Sequence, residues 1–140
     1  MIIISCDHAG FELKNAVCNY LKKNNADYVD VGPTLYEKSD SYVDYAKKAC
    51  KNFTDGDKMI LCCGSGVGVS IVANRHKGIR AVLGYSNDIV EKAVQHNNAN
   101  CLCMGQNFTT RRKAINMVKT FLNSKFEGGR HIKRVEDIDK

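Results

Sequence analysis

The sequence has no long hydrophobic run. Its apolar stretches are short and the longest is interrupted by glycines, so none approaches the roughly 20 residues of a membrane-spanning helix. The N-terminus, MIIISCDHAG, has no basic start, and Asp7 comes too early for a signal peptide. These features predict a cytoplasmic protein without a membrane partner, and they make the first residues a buried strand instead of a targeting segment.

Motifs for metals, nucleotides and nucleic acids are also missing. The four histidines stand at no zinc-ligand spacing from a cysteine pair, so a structural metal is not predicted. The P-loop pattern GxxxxGK[ST] is absent, and the dinucleotide fingerprint GxGxxG fails because Val69 occupies its last glycine position. The net charge is +6, but the basic residues are scattered without interleaved aromatics. A small anionic substrate is therefore the expected partner, and a nucleic acid is not.

Cysteine is plentiful, and its number and spacing indicate free thiols. An odd count of seven cannot pair completely, and the neighbours Cys62 and Cys63 cannot easily bridge. Without a secretory signal, this composition predicts a reducing compartment and mostly buried thiols.

Short β-rich runs alternate with segments whose apolar residues recur at helical spacing. This order predicts a single domain over residues 1–140 with an α/β fold: a three-layer α/β/α, Rossmann-like arrangement around a five-stranded parallel sheet. The segment of about 126–140 predicts a turn and a short charged helix that packs on a partner subunit. The five strand-like runs are MIIISC (1–6), DYVDV (27–31), KMILCC (58–63), GIRAVLG (78–84) and NCLCMG (100–105).

In such a sheet, ligands bind beyond the carboxyl ends of the strands, and the third strand ends in a distinctive stretch. Gly64, Gly66 and Gly68 leave backbone N–H groups bare, which favours negative charge there. Cys63 precedes these amides, which favour its thiolate, while Cys62 is expected on the opposite face of the sheet. A plain strand-to-helix turn with a buried thiol is the alternative interpretation.

Other reactive side chains strengthen the catalytic interpretation. Asp7 and His8 follow the first strand, Ser65 lies in the glycine loop, and His96 with Asn97 ends a helix. A base, an anion-stabilising loop and a proton donor suit proton abstraction next to a carbonyl, with an enediolate held by preset donors.

A pair of arginines predicts a phosphate site. Arg130 and Arg134 are four residues apart and can present two guanidinium groups to a phosphate, although such a pair is by default a solvated face. His76 and His131 are interpreted as surface residues.

Four segments together resemble ribose-5-phosphate isomerases of the B type, with the related galactose-6-phosphate and allose-6-phosphate isomerases. The resemblance implies an aldose–ketose isomerase with a Rossmann-like fold that uses neither metal nor cofactor. It also implies a homodimer or a dimer of dimers with active sites at the subunit interface. The segments, in order along nearly the whole chain, are CDHAGFELK, CGSGVGVSIVANR, QHNNAN and EGGRHIKRVEDI.

The resemblance also implies roles for individual residues. Cys63 corresponds to the base that moves a proton between C2 and C1 of the open-chain sugar. His96, assisted by Asp7, corresponds to the group that opens the sugar ring. Residues that match the enediolate cradle are Ser65, Gly64, Gly66, Val67 and Gly68. Residues that match substrate ligands are His8, Arg130 and Arg134 for the phosphate, Tyr42 for the sugar, and Asn97 reaching across from the partner subunit.

The chain departs from the family pattern at two places. Members often read GxR after the fifth strand, whereas GQN here puts Asn107 at the arginine position, so that Arg111 or Arg112 would have to compensate or phosphate affinity would fall. The family's DYP is SYV here, with Ser41 and Val43 in place of an acid and a proline, which predicts a more mobile loop before the second helix.

These observations favour the interconversion of ribose 5-phosphate and ribulose 5-phosphate. Isomerisation of a six-carbon sugar phosphate such as allose 6-phosphate is the alternative within the same class. A non-catalytic sugar-phosphate binding module is the alternative from another class, although such a module has no use for a positioned Cys63 and His96.

Overall fold

The computed structural model describes residues 1–140. Strands and helices alternate along the chain, and one turn of 3-10 helix at His8–Gly10 joins the first strand to the first helix. No helix combines the length and the apolar character needed to cross a membrane. The elements are β1 (Ile2–Cys6), α1 (Phe11–Lys23), β2 (Tyr28–Asp30), α2 (Tyr42–Asn52), β3 (Lys58–Cys63), α3 (Val67–Ala73), β4 (Ala81–Leu83), α4 (Asn87–Asn97), β5 (Cys101–Gly105), α5 (Arg111–Asn123) and α6 (His131–Asp137).

The five strands form one parallel sheet in the order β2-β1-β3-β5-β4, which confirms the predicted sheet. The predicted runs at 27–31 and 78–84 shorten to three residues each. Both are edge strands, which pair on one side only, and neither contains a buried residue. The continuous apolar pattern therefore indicates full burial only for β1, β3 and β5.

Helices cover both faces of the sheet, so the predicted three-layer arrangement is confirmed. One core lies between the sheet and α1, α4 and α5, and the other lies between the sheet and α2 and α3. Because side chains alternate along a strand, Cys62 belongs to the first core and Cys63 to the second, as predicted. α6 packs on α4 and buries none of its own residues.

The order of the strands fixes which chain ends meet. β1 lies beside β3, with Cys6 opposite Cys62, so the residues that follow these two strands share the carboxyl edge of the sheet. α4 leads back to the start of β5, and its C-terminal end therefore lies at the amino edge. The five residues of β5 separate the two edges by about 13 Å, at roughly 3.3 Å per residue.

A buried lysine fastens α1 to the loop that follows β2. The side chain of Lys14 is 2% exposed, and its Nζ donates to the carbonyl of Pro33 at 2.9 Å. The same Nζ lies 2.8 Å from Oδ2 of Asp30 and 5.0 Å from the centre of the Phe11 ring. This anchor holds the start of the loop that leads to α2.

The variant Lys14→Met is expected to lower the free energy of unfolding by about 2 kcal/mol, since it leaves the Pro33 carbonyl and the Asp30 carboxylate without their partner. The loss stays at the low end for a buried ion pair because solvent reaches Asp30, whose side chain is 30% exposed. Chemical denaturation measures the change. Lys22→Met, at an exposed position of the same helix, is the control, and an equal effect in both variants would contradict the anchor.

Candidate active site

A cleft of about 390 Å³ opens at the carboxyl edge of the sheet, where β1 and β3 end. It unites the predicted base, the predicted glycine loop, Asp7 and Tyr42. The lining residues are Asp7, Tyr42, Cys63, Gly64, Ser65, Val67, Gly68 and Ile71.

Cys63 ends β3 with its thiol at the inner wall of the cleft. The residue is 4% exposed, and the backbone N–H of Gly66 donates to its Sγ at 3.1 Å. This interaction is stronger for a thiolate than for a thiol, because a charged acceptor strengthens a hydrogen bond. Gly66 adopts φ +79°, and a Cβ there would come within 2.8 Å of Leu83 and Met104. The turn that directs this amide at the sulfur therefore requires glycine.

The rest of the glycine loop forms the outer wall of the cleft. Ser65 is exposed, and its Oγ accepts from the N–H of Val67 at 3.2 Å. The ring of Tyr42 packs over Gly68 so closely that a Cβ there would lie 2.7 Å from the ring. Gly68 thus brings the tyrosine over the cleft, which is where a residue lining a bound sugar would have to be.

Burial disfavours the charged form of five of the other thiols. Burial raises the pKa of Cys6 to about 12 and the pKa values of Cys18 and Cys50 to about 11. It also raises the pKa values of Cys62 and Cys103 well above the ordinary range. Among the seven cysteines, Cys63 is the one that lines this cleft.

Asp7 and His8 follow β1, and Asp7 lines the cleft. Asp7 is 5% exposed, and burial raises the pKa of its carboxyl, while the hydrogen bond from Gly10 N–H to Oδ1 at 3.1 Å opposes that rise. His8 is held by Asp40, whose Oδ1 lies 2.8 Å from the ring Nδ1 and accepts from the His8 N–H at 2.9 Å.

The remaining predicted residues form a second cluster where α6 packs on α4. The rings of His96 and His131 stack with centroids 4.5 Å apart, and His96 Nε2 lies 3.7 Å from Oε2 of Glu127. Desolvation lowers the pKa of His131, and the positive charges of His96, Arg130 and Arg134 add to that effect. Asn97, Arg130 and Arg134 are exposed.

The structure does not bring the two clusters together within one chain. Asp7 and Cys63 lie at the carboxyl edge of the sheet, whereas His96 and Asn97 end α4 at the amino edge. The sequence analysis groups His96 and Asn97 with Cys63, and within the single chain the structure separates them. The reason for this separation is that a helix of a parallel α/β unit runs opposite to its strands.

The sequence analysis misses Asp40 and gives no contacts for Ser41 and Asn107. Ser41 stands where the family resemblance leads one to expect an acid. Asp40 is the residue just before it, and this neighbouring acid was the sequence signal that could have identified Asp40. Ser41 caps α2 by accepting from the Val43 N–H at 3.2 Å. Asn107, at the family's arginine position, donates its backbone N–H to the carbonyl of Gly64 at 2.9 Å.

Gln106 and His131 make contacts that no pattern in the sequence indicates. The side-chain Oε1 of Gln106 accepts from the backbone N–H of Leu13 at 3.0 Å. The backbone N–H of Gln106 donates to the carbonyl of Cys63 at 2.9 Å. Gln106 thus ties the ends of β3 and β5 to α1. His131, interpreted as a surface residue, stacks on His96 instead of standing alone.

Two groups of side chains have the composition of a metal site. The ligand atoms of His96, Glu127 and His131 lie within 4.8 Å of one another, and so do those of Asp7, His8 and Asp40. The first group is flanked by Arg130 and Arg134, whose charges favour an anion over a cation. In the second group, the Asp40 oxygen nearest the ring is already engaged by His8.

The chain is similar to known proteins over nearly its whole length. A family model described as Ribose/Galactose Isomerase matches residues 2–138. The ribose-5-phosphate isomerase B of Escherichia coli is 37% identical over 139 residues, which cover 98% of this chain and 93% of that protein. The probable ribose-5-phosphate isomerase B of Mycoplasma genitalium is 42% identical over 141 residues, covering 98% of this chain and 92% of that one.

Solved structures show the same likeness. A ribose 5-phosphate isomerase of Thermotoga maritima superposes with a TM-score of 0.94 at 44% identity, covering 99% of this chain and 96% of that one. The Mycoplasma genitalium enzyme, solved with bound ribulose-5-phosphate, has a TM-score of 0.90 at 42% identity, with coverage of 98% and 92%. The chain therefore belongs to the ribose/galactose isomerase family.

Iodoacetamide is expected to modify Cys63 alone in the folded protein, because Cys63 lines the cleft. Of the other six thiols, Cys101 is fully buried and five have pKa values raised by burial. Intact-mass spectrometry should show one adduct, and peptide mapping should place it in CGSGVGVSIVANR. Cys63→Ala is the control and should remain unmodified. Several adducts that form at equal rates in the native protein would contradict the distinction between Cys63 and the other six thiols.

Proposed function

We propose that this protein is a ribose-5-phosphate isomerase of the B type that interconverts ribose 5-phosphate and ribulose 5-phosphate without a cofactor. One observation carries the proposal: a cleft at the carboxyl edge holds a single thiol, Cys63, with the Gly66 amide directed at its sulfur and Asp7 nearby. Membership of the isomerase family supports it.

The proposed chemistry is a proton transfer between adjacent carbons. The Cys63 thiolate removes the proton from C2 of the open-chain aldose, and the electron pair of that C–H bond forms the C1–C2 double bond of an enediolate. The negative charge moves to the former carbonyl oxygen, where Ser65 and the loop amides hold it. The thiol then returns its proton to C1, while the proton of the C2 hydroxyl moves to O1 and completes the ketose.

The proposed substrate ligands come from both clusters. Arg130, Arg134 and His8 bind the phosphate, and Tyr42 lines the sugar. His96, assisted by Asp7, moves the proton that opens the ring, and Asn97 contacts the substrate. The remaining members of the enediolate cradle are Gly64, Gly66, Val67 and Gly68.

A two-fold homodimer makes this site complete. His96 and Arg130 lie at the edge of the sheet opposite Cys63, so they serve the thiol of a second copy. In an isologous pair, each copy contributes its His96 cluster to the site of the other.

Two further features support this assembly. The segment of about 126–140 buries no side chain of α6 in its own chain, and the cleft is surrounded by exposed apolar residues. These are Val67, Ile71, Tyr85 and Phe108.

The five-carbon substrate is favoured over a six-carbon one. The Mycoplasma genitalium relative, 42% identical, was solved with ribulose-5-phosphate, and the named relatives are ribose-5-phosphate isomerases. We also propose a cytosolic location, which the odd number of free cysteines supports.

Purified protein is expected to convert ribose 5-phosphate to ribulose 5-phosphate in the presence of a chelator, and Cys63→Ala should lose at least about 100-fold in kcat, the usual contribution of a positioned base. Allose 6-phosphate, run in parallel, measures the preference for chain length. A Cys63→Ala protein with full activity would remove Cys63 as the base. Binding of ribose 5-phosphate without any turnover by the wild type would favour a binding module.

Mixed subunits test the shared site. Cys63→Ala and His96→Gln are each expected to be inactive as homodimers, but their 1:1 mixture after subunit exchange should recover about one quarter of wild-type activity. Half of the dimers are then mixed, and each mixed dimer has one intact site of two. Cys63→Ala mixed with Asp7→Asn is the matched control: both residues belong to the same half-site, so no activity should return. Equal recovery in the two mixtures would contradict the interfacial site.

A further inference from the structure

The side chain of Asp40 is directed at His8 alone. Its Oδ1 accepts from the backbone N–H of His8 at 2.9 Å and lies 2.8 Å from the ring Nδ1. The ring of Tyr36 meets the imidazole edge-on, with centroids 6.1 Å apart. A carboxylate can only accept hydrogen bonds, so Nδ1 carries a proton and Nε2 is the nitrogen left for another partner.

Stability does not account for Asp40. Its side chain is 7% exposed, yet Oδ2 is the one buried side-chain oxygen or nitrogen of the protein without a hydrogen-bond partner. Such an atom destabilises the fold, because no hydrogen bond offsets its loss of hydration. α2 has its own N-cap in Ser41, and the preceding loop is fastened through Pro33 to Lys14. The fold therefore does not need this carboxylate for either task.

We propose that Asp40 is a positioning residue that holds His8 with Nδ1 protonated and directs Nε2 at the phosphate of the substrate. This inference rests on the proposed function, in which His8 is a phosphate ligand. The arrangement matches the carboxylate–histidine pairs that orient imidazoles at metal and catalytic sites.

The charge of Asp40 gives the pairing its effect on binding. With Nδ1–H donated to Asp40, Nε2 can donate to a phosphate oxygen only when the ring carries a second proton. The carboxylate stabilises that imidazolium, and the imidazolium makes the stronger, charge-assisted hydrogen bond to the phosphate.

The variant Asp40→Asn tests the proposal, because it keeps an oxygen of the same shape and removes the charge. We expect KM for ribose 5-phosphate to rise about tenfold, the lower end for loss of such a partner, while kcat changes less than twofold. In a His8→Gln background, the same substitution should have no further effect on KM. Glu37→Gln is the matched control: it removes one negative charge from the same loop without a contact to His8.

Two measurements that need no turnover separate this proposal from the isomerase proposal. Nitrogen-15 NMR of the wild type at alkaline pH should show the neutral His8 ring protonated at Nδ1, with its signal identified by its loss in His8→Gln. Titration with inorganic phosphate should show weaker binding by Asp40→Asn than by Glu37→Gln.

Three results would overturn the role of Asp40, and a fourth would overturn the isomerase function alone. A neutral His8 ring that carries its proton on Nε2 in the wild type at alkaline pH overturns the proposal, even where Asp40→Asn fails to fold. An unchanged KM and an unchanged phosphate affinity in Asp40→Asn overturn it as well, and so does an equal loss of affinity in the His8→Gln background. A wild type without isomerase activity, but with the expected ring protonation and phosphate titration, overturns the isomerase function and retains the Asp40–His8 pairing.

Discussion

Each helix of a parallel α/β sheet runs back against the strands it connects, so strand ends and helix ends lie on opposite edges. In this protein, that constraint divides the reactive side chains. Asp7 and Cys63 follow strands and lie at the carboxyl edge, whereas His96 ends α4 and lies at the amino edge. No rearrangement of loops moves a residue across the length of β5. The proposed completion of the site by a second copy therefore follows from topology more than from surface chemistry.

The architecture of the sheet could be predicted from the sequence because its signals are local. Continuous apolar runs mark β1, β3 and β5, and helical spacing marks the segments between them. The position of a strand within the sheet could not be predicted in the same way. β2 and β4 resemble central strands in sequence but lie at the edges, since edge position depends on the strand order.

Only part of the candidate site could be predicted from the sequence, because some of its residues are consecutive in the chain and others are far apart in it. The glycine loop and Cys63 are consecutive in the chain, so one motif specifies both. The Asp40–His8 pair spans 32 residues, and Gln106 meets Leu13 across 93. Neither pairing leaves a periodicity or a spacing rule in the sequence. Family resemblance identifies matching positions, but it gives no guidance where this chain places its acid at 40 instead of 41.

Burial acts in the same direction on carboxyls and thiols, because it disfavours the charged form of both. It raises the pKa of Asp7 and so favours a neutral carboxyl that can donate a proton. Cys63 is buried to a similar extent, but the Gly66 amide is directed at its sulfur, and a thiolate gains more from that contact than a thiol does. Exposure therefore does not distinguish the two groups, and each accepts a backbone N–H, Asp7 from Gly10 and Cys63 from Gly66. The left-handed turn at Gly66 directs one of these amides at the sulfur, and the 3-10 turn after β1 directs the other at the carboxyl, so both contacts depend on the turns that follow the two strands.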